Sequence, residues 1–363
     1  MKILFLTQFG ESAASSRTRA FQYVPYLARE GHEVRVLPLI PDAVRAWSKT
    51  LEGRQRIPYC LVVGLLTILR VAQTVLVARS YDVLIVQKVI LPRTLAAILG
   101  RVAEKVVYDF DDAIQTLLGW KRRMFPNILR TASLVVVEND QNMRAAAKYC
   151  PQVVKIVGPI DTQLYHPAPI RDSDGPLVIG WIGSPDTAEY LRAVHDVLRD
   201  LARTHALVFR TIGSGPQKIQ GVQVETFEWS LEDEVELLQS FDIGIGPLPD
   251  NEWTRGKAGY KLLQYMAVGI PVVASPIGEH GKIVVHGSTG YHATSAAEWR
   301  QSLASLMENA DLRTMMGHAG RIRAEQAYSF EVATKTLLAE LTSFMTRRGN
   351  RIDETRGAST CHS

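Results

Sequence analysis

Apolar residues recur along this chain in short runs broken by glycine, proline and small polar residues. The first run, 2–7, reads Lys-Ile-Leu-Phe-Leu-Thr and opens onto Gln8-Phe9-Gly10. A helical period follows over 19–29, closed by Gly31-His32, and 34–39 is the next strand-like run. Strand, small-residue loop, helix and strand in that order predict a parallel βαβ unit. The alternation continues with strands at 82–87, 105–108, 134–137 and 153–157 and helices at 91–99 and 142–149. Pro159, Pro167, Pro169, Asp172, Ser173, Asp174 and Gly175 then read as a linker.

The plan restarts at 177–184, whose Leu-Val-Ile-Gly-Trp-Ile-Gly-Ser echoes the opening strand and loop. Strands at 207–212, 222–227 and 241–245 alternate with helices at 188–204 and 231–239. The stretch 256–275 reads as a helix, a stop at Gly269 and Pro271, and a buried strand. A loop (276–281), a turn (287–290) and helices at 297–309, 312–326 and 330–346 follow, and the polar tail 347–363 is expected to be disordered. The expectation is an α/β protein of two doubly wound, Rossmann-like domains, 1–168 and 169–330. The helix at 331–346 is expected to cross back to the first domain, and the ligand crevice to lie between the two at the carboxyl ends of the strands.

Composition narrows the class. The chain has 363 residues, 46% of them hydrophobic, which suits two globular cores. Cys60, Cys150 and Cys361 are too far apart to form a disulfide framework or a metal cluster, so a reducing cytoplasm is expected. Residues 1–168 carry 22 Lys and Arg against 13 Asp and Glu, and the remainder 19 against 24. A basic first half expects an anionic partner. Without an aromatic-basic ladder or recognised motif, nucleic acid is not the expected one. The apolar stretch 57–78 is long enough to resemble a membrane span, but Pro58, Arg70 and Gln73 fit lipid poorly. It reads as a partly buried helix touching a membrane surface. Lys121-Arg122-Arg123 beside Trp120 and Phe125 is either a second membrane-surface patch or a solvated basic loop.

Candidate chemistry sits at strand ends. Lys257, Lys261 and Gln264, spaced i, i+4, i+7, fall within about 60° on a helix wheel. Two ammonium groups near a helix N-terminus would seat a diphosphate; the alternative is a solvated lysine face. Gly183-Ser184 and Gly213-Ser214-Gly215 follow strands where backbone amides can meet phosphate, or are merely tight turns. No G-x-G-x-x-G fingerprint opens a helix and no P-loop is present, which disfavours hydride transfer and NTP hydrolysis. Asp109, Asp111 and Asp112 form the densest acidic cluster at a strand end. They are suited to binding sugar hydroxyls, to base chemistry or to metal, or else to capping the next helix. Ser16, Arg17 and Arg19 follow the first loop, where the arginines read either as ligands for an anionic acceptor or as solvated charges.

Taken together, Ser15–Arg19, 109–114, Asp242-Ile243-Gly244-Ile245-Gly246-Pro247-Leu248-Pro249 and above all 256–275 resemble the retaining group 1, or family 4, glycosyltransferases of GT-B architecture, over about residues 1–345. The basic first half and the stretches 57–78 and 120–125 point to a cytoplasmic protein peripheral at the inner membrane face, acting in cell-surface polysaccharide or glycolipid synthesis. The resemblance implies a metal-independent enzyme. It would use a nucleotide-sugar such as a UDP- or GDP-sugar as substrate and no further cofactor, with a saccharide or lipid-linked acceptor. It implies donor contacts at Gly183, Ser184, Gly213, Gly215, Lys257, Lys261, Leu262 and Gln264, catalytic roles for Asp111, Lys257 and Lys261, and acceptor contacts at Ser16, Arg17, Arg19, Asp109 and Asp112. Gly256 and Gln264 stand where the family usually has a glutamate pair, Ser184 where it has an arginine, and Asp111 where it has a histidine. The competing readings are an epimerase or phosphorylase-like enzyme on the same architecture, a natural-product glycosyltransferase with a small soluble acceptor, and a degenerate nucleotide-binding or partner module.

Overall fold

The structure, a computed structural model, describes residues 1–51, 56–116, 119–168 and 175–360. The expected linker residues 169–174 and the last three residues of the tail lie outside the described residues. The chain divides into two compact units, Met1–Pro159 together with the chain from Ala333 on, and Ile160–Val332. The division falls ahead of the expected linker because 160–168 is bonded to later parts of the second unit. The Ile160 and Phe330 N–H groups donate to Tyr328 and Ile160 carbonyls, and buried Tyr165 donates to Glu234.

In the first unit the strands are β1 (Lys2–Phe9), β2 (Glu33–Ile40), β3 (Val83–Gln87), β4 (Val106–Phe110), β5 (Leu134–Val137) and β6 (Val153–Lys155). They form one parallel sheet in the order β2-β1-β3-β4-β5-β6. Every residue of β3, β4 and β5 is buried, as in a parallel sheet covered on both faces. The first helix begins earlier than its apolar period suggested: helical turns run from Ala14 to Arg29, with a π-helical segment at Arg17–Phe21. A 12-residue helix, Trp120–Thr131, occupies the stretch expected to be a basic patch, with Pro126 inside it. The apolar stretch is a 22-residue helix, Arg56–Val77, buried only at Val71, Thr74 and Val75.

In the second unit β7 (Leu177–Ile182), β8 (Leu207–Ile212), β9 (Gln223–Phe227), β10 (Ile243–Gly246), β11 (Val272–Ala274) and β12 (Gly290–His292) form a parallel sheet in the order β12-β11-β10-β7-β8-β9. β12 begins at Gly290, the last residue of the stretch read as a turn, where no strand was expected. The final helix runs Phe330–Thr360, so the stretch from 347 to 360, expected to be disordered, has helical backbone.

Both sheets have a topological switch point, where connections leave in opposite directions: between β1 and β3, and between β7 and β10. Such points open a crevice at the carboxyl edge. The second is held by a glycine pair, Gly180 on β7 opposite Gly244 on β10. A Cβ on Gly180 would lie 2.0 Å from the Phe241 ring, and one on Gly244 2.5 Å from the Tyr265 ring. The missing side chains let both rings lie against the sheet. Tyr265 OH there accepts from the Ile182 N–H at 3.0 Å and donates to the Ile245 carbonyl at 3.3 Å. The helix Tyr260–Ala267 is thereby fixed to the strand ends. Gly180→Ala is expected to destabilise the protein by about 1–3 kcal/mol through overpacking. Urea denaturation read by tryptophan fluorescence measures this; an unchanged midpoint would remove the glycine pair from the argument.

Candidate functional site

At the switch point of the second unit the focus is Lys261. Its Nζ sits 4.0 Å from the centroid of the Trp181 ring, and Trp181 is fully buried on β7. Gly183 makes room for it, since a Cβ there would lie 3.1 Å from Lys261 Nζ and 2.6 Å from Trp181. No carboxylate pairs with Lys261 among the described residues. Burial, and then repulsion from Lys257, lower its pKa to about 7. Lys257 Nζ lies 5.2 Å from the Trp253 ring. Buried His280 is held neutral, with a pKa lowered to about 3 by burial and then by Lys261 and Lys257. The result is a site of positive potential, where an arriving anion finds an ammonium already stripped of much of its water.

The helical spacing of the two lysines is not realised. Gly259 takes a left-handed conformation (φ 79°) as the N-cap, so the helix starts at Tyr260 and Lys257 lies in an extended turn ahead of it. The lysines still converge, but from a turn and a first helical turn rather than from one face. Gln264 faces inward, donating from Nε2 to Glu234 and at 3.4 Å to Tyr165 OH. At 3% exposure it is turned away from the donor contact expected of it. Leu262 is fully buried, and its amide is engaged by the Gly259 carbonyl.

The glycine loops also need correction. The Gly183 amide donates to the Ile212 carbonyl and the Gly213 amide to the Phe227 carbonyl, so neither is available to phosphate. Gly213 (φ 74°) is required instead because its Cβ would meet the Gly183 carbonyl at 2.6 Å, which locks the two loops together. Gly215 has open space around it. Ser184 has extended backbone ahead of the helical turns that start at Pro185. On the same carboxyl edge lies a cavity of about 730 Å³, lined in part by Tyr190, Leu248, Pro249, Asn251, Ser275 and Thr294. Its volume is within the range of nucleotide-sized sites.

At the switch point of the first unit, Arg19 and Asp109 are partners rather than acceptor ligands. Arg19 donates Nε to Asp109 Oδ1 at 3.0 Å and one terminal nitrogen to Asp109 Oδ2. Its other terminal nitrogen reaches Glu138 at 2.9 Å and the Ile156 and Gly158 carbonyls at 3.1 and 2.7 Å. The Arg19 and Asp109 side chains are 1% and 7% exposed. The π-helical segment carries Arg19 inward to this position. Ser16 is likewise buried, donating to Gln87 at 3.1 Å, and Arg17 is buried with a contact to the Glu11 carbonyl. These four residues hold the loop in place and leave little of themselves for an acceptor.

What remains partly open is a cluster built on Lys88, a residue that sequence reasoning missed. Lys88 Nζ meets Asp111 Oδ1 at 2.8 Å, Ser15 Oγ at 3.0 Å and the Asp112 carboxylate. Ser15 in turn donates to Asp111. Burial works against the charge on both Lys88 and Asp111, but their mutual attraction wins, so the ammonium titrates above its ordinary range and Asp111 below its own. Asp111 is therefore an ionised, oriented hydrogen-bond acceptor rather than a base poised near neutrality. Lys88 has φ 58°, a left-handed backbone in a non-glycine residue, which is costly and recurs at functional sites. A basic residue just after β3, at a switch point, was the available signal. Asp112, 35% exposed, is the most accessible of the expected acceptor ligands in this cluster.

Two parallel six-stranded sheets with this order define the GT-B architecture, and solved structures agree. Over 94% of this chain and 100% of that one, the fold matches Anabaena HepE in complex with UDP and glucose, at 17% identity and a TM-score of 0.64. Sucrose-phosphate synthase from Thermosynechococcus elongatus matches over 96% of this chain and 100% of its own, at 12% identity and a TM-score of 0.68. The lipopolysaccharide outer core galactosyltransferase WaaB matches over 94% and 99%, at 14% identity and a TM-score of 0.63. Residues 176–309, which hold Lys257 and Lys261, match the family model of group 1 glycosyl transferases. No curated protein matches the chain in sequence.

Arg19 gives the test of the buried pair. Arg19→Met leaves Asp109 and Glu138 buried without a counter-charge and is expected to cost about 3–5 kcal/mol of stability. A thermal melt measures it. A variant that melts normally but loses acceptor affinity would return Arg19 to the acceptor site.

Proposed function

We propose that the protein is a retaining glycosyltransferase that moves a sugar from a nucleoside-diphosphate sugar to an acceptor hydroxyl, in the synthesis of a cell-surface polysaccharide or glycolipid. The observation that carries this reading is the Lys261 ammonium over Trp181, open to an anion at the switch point of the domain that matches the group 1 model. As the bond from the anomeric carbon to the diphosphate oxygen breaks, negative charge grows on the phosphate. Lys261 and Lys257 are placed to stabilise it, and most strongly so in a site already poor in water. The acceptor oxygen attacks from the same face, and its proton passes to the departing phosphate oxygen. In the first unit, Asp111, held ionised by Lys88, accepts a hydrogen bond from a hydroxyl of the sugar or acceptor, and Asp112 offers a second acceptor. The reading needs no metal, so turnover is expected to survive EDTA.

UDP-sugars are the first donors to test, because HepE is described in complex with UDP and glucose; GDP-sugars come next. Lys261→Ala is expected to lower kcat/KM for the donor about a hundredfold, the scale of losing one group that stabilises charge in the transition state. Initial rates of nucleoside-diphosphate release measure this, and NMR of the product's anomeric proton reads the stereochemistry. Unchanged kinetics in the Lys261 variant, or an inverted product, would count against the proposal. A second reading, a nucleotide-binding module without turnover, is favoured by one observation: Gly256 and Gln264 replace the glutamate pair, and Gln264 is locked to Glu234 and Tyr165. Binding of UDP with no sugar transfer or donor hydrolysis would select it.

A further inference from the structure

The helix Arg56–Val77 carries an apolar stripe that nothing in its own unit covers among the described residues. Ile57, Leu61, Leu65, Ile68, Leu69 and Leu76 are between 53% and 71% exposed. At 100° per residue they fall within about 120° of one another, so the stripe runs along nearly the whole helix. The opposite side is anchored: Val63 and Val77 pack against the core of the first unit and Thr74 is buried, and the helix packs on β2 and on the helix Arg93–Leu99. Twenty-two residues of helix extend about 33 Å and the eight residues of β2 about 27 Å, so the helix overhangs the strand it packs on. Its buried positions begin only at Val71. An apolar helix of this length would satisfy the requirements for a span, but one whose far side belongs to the domain core cannot cross a bilayer and stay packed.

We propose that this helix lies in the plane of an anionic lipid surface, with the stripe in the acyl region and the rest of the first unit on the aqueous side. Charge complementarity selects lipid as the occupant. From 56 to 80 the chain has Arg56, Arg70 and Arg79 and no acidic residue. Arginines at both ends of such a helix reach phosphate groups while their stems lie along lipid. Aromatic side chains of the kind found at membrane interfaces stand near its start, where Trp47 packs edge-on to Tyr59 at 5.7 Å. A second basic-aromatic group belongs to the same helical layer. Trp120, 57% exposed, lies beside Lys121, Arg122 and Arg123 at the start of a helix that packs against Arg93–Leu99. Both helices lead back to the amino end of the next parallel strand, so both start at the carboxyl edge of the sheet, the edge that carries Lys88 and Asp112. Lipid bound there would bring a lipid-linked hydroxyl to that edge, although the docking itself does not depend on the reaction.

The test is sedimentation of the full chain with vesicles of phosphatidylcholine alone or with phosphatidylglycerol, compared with the triple variant Leu61→Gln, Leu65→Gln, Leu69→Gln. These side chains are exposed, so the variant is expected to keep its far-UV circular dichroism, its melting temperature and its UDP binding. Binding of the parent to phosphatidylglycerol vesicles is expected to weaken with salt and to fall at least about tenfold in the variant, the scale of removing three buried leucine chains. Failure of the parent to bind either vesicle, or equal binding by parent and variant, would overturn the proposal. So would a lipid-free dimer that the variant dissolves, since a second copy would then cover the stripe. Loss of vesicle binding with UDP binding intact separates this surface from the donor site.

Discussion

A lysine ammonium held against an indole, with no carboxylate beside it among the described residues, is the interaction on which the functional account depends. Burial of a cation normally ends in one of two ways, pairing with an acid or loss of the proton. Arg19 and Lys88 follow the first course, each meeting carboxylates at the switch point of the first sheet. Lys261 follows the second part of the way: its pKa falls to about 7, so near neutrality the group is divided between its two forms. Lys261, without a carboxylate beside it among the described residues, has a counter-ion to gain from an anionic ligand. The contrast between Lys88, matched by Asp111 and Asp112, and Lys261, with no carboxylate partner among the described residues, separates an orienting role from an anion-binding one.

The unmatched lysine is held in place by packing. Gly180 and Gly244 are bare where β7 and β10 meet, Phe241 and Tyr265 lie over them, and the Tyr265 hydroxyl ties the helix to both strand ends. Lys261 is one turn away on that helix. Trp181 and Gly183, on and just past β7, supply the surface the ammonium rests on and the gap it fits. Sheet, ring, helix and charge therefore form one rigid sequence of contacts inside a single unit. Preorganisation of this kind is what gives a charge leverage on a transition state.

Much of the sheet architecture was legible in the sequence because buried parallel strands are nearly continuous apolar runs, as in β3, β5, β7 and β8. β12 was not, because Gly290–His292 is short and mixed in polarity, and only pairing with β11 makes it a strand. Pro126 concealed the helix Trp120–Thr131, since proline reads as a breaker although the packing of Phe125, Ile128 and Leu129 holds the helix. At the sites, the residue types were readable but their directions were not. Gln264 and Arg19 sit at the right positions for ligands, yet each turns into the interior to satisfy buried acids, Glu234 in one case and Asp109 with Glu138 in the other. Lys257 shows the same limit at the backbone: Gly259 was visible, but its left-handed conformation, which takes Lys257 off the helix, was not. Lys88 needed both the strand end and the acids of the neighbouring strand to be seen together.

The most direct measurement is the proton balance of nucleotide binding. Titration calorimetry with UDP at pH 8, in buffers of different ionisation enthalpy, reports the protons taken up as the complex forms. If Lys261 is mostly neutral in the empty site and charged beside a diphosphate, about one proton should be taken up at pH 8, and the uptake should vanish in Lys261→Ala. UDP binding without proton uptake, or with the same uptake in the variant, would contradict the account.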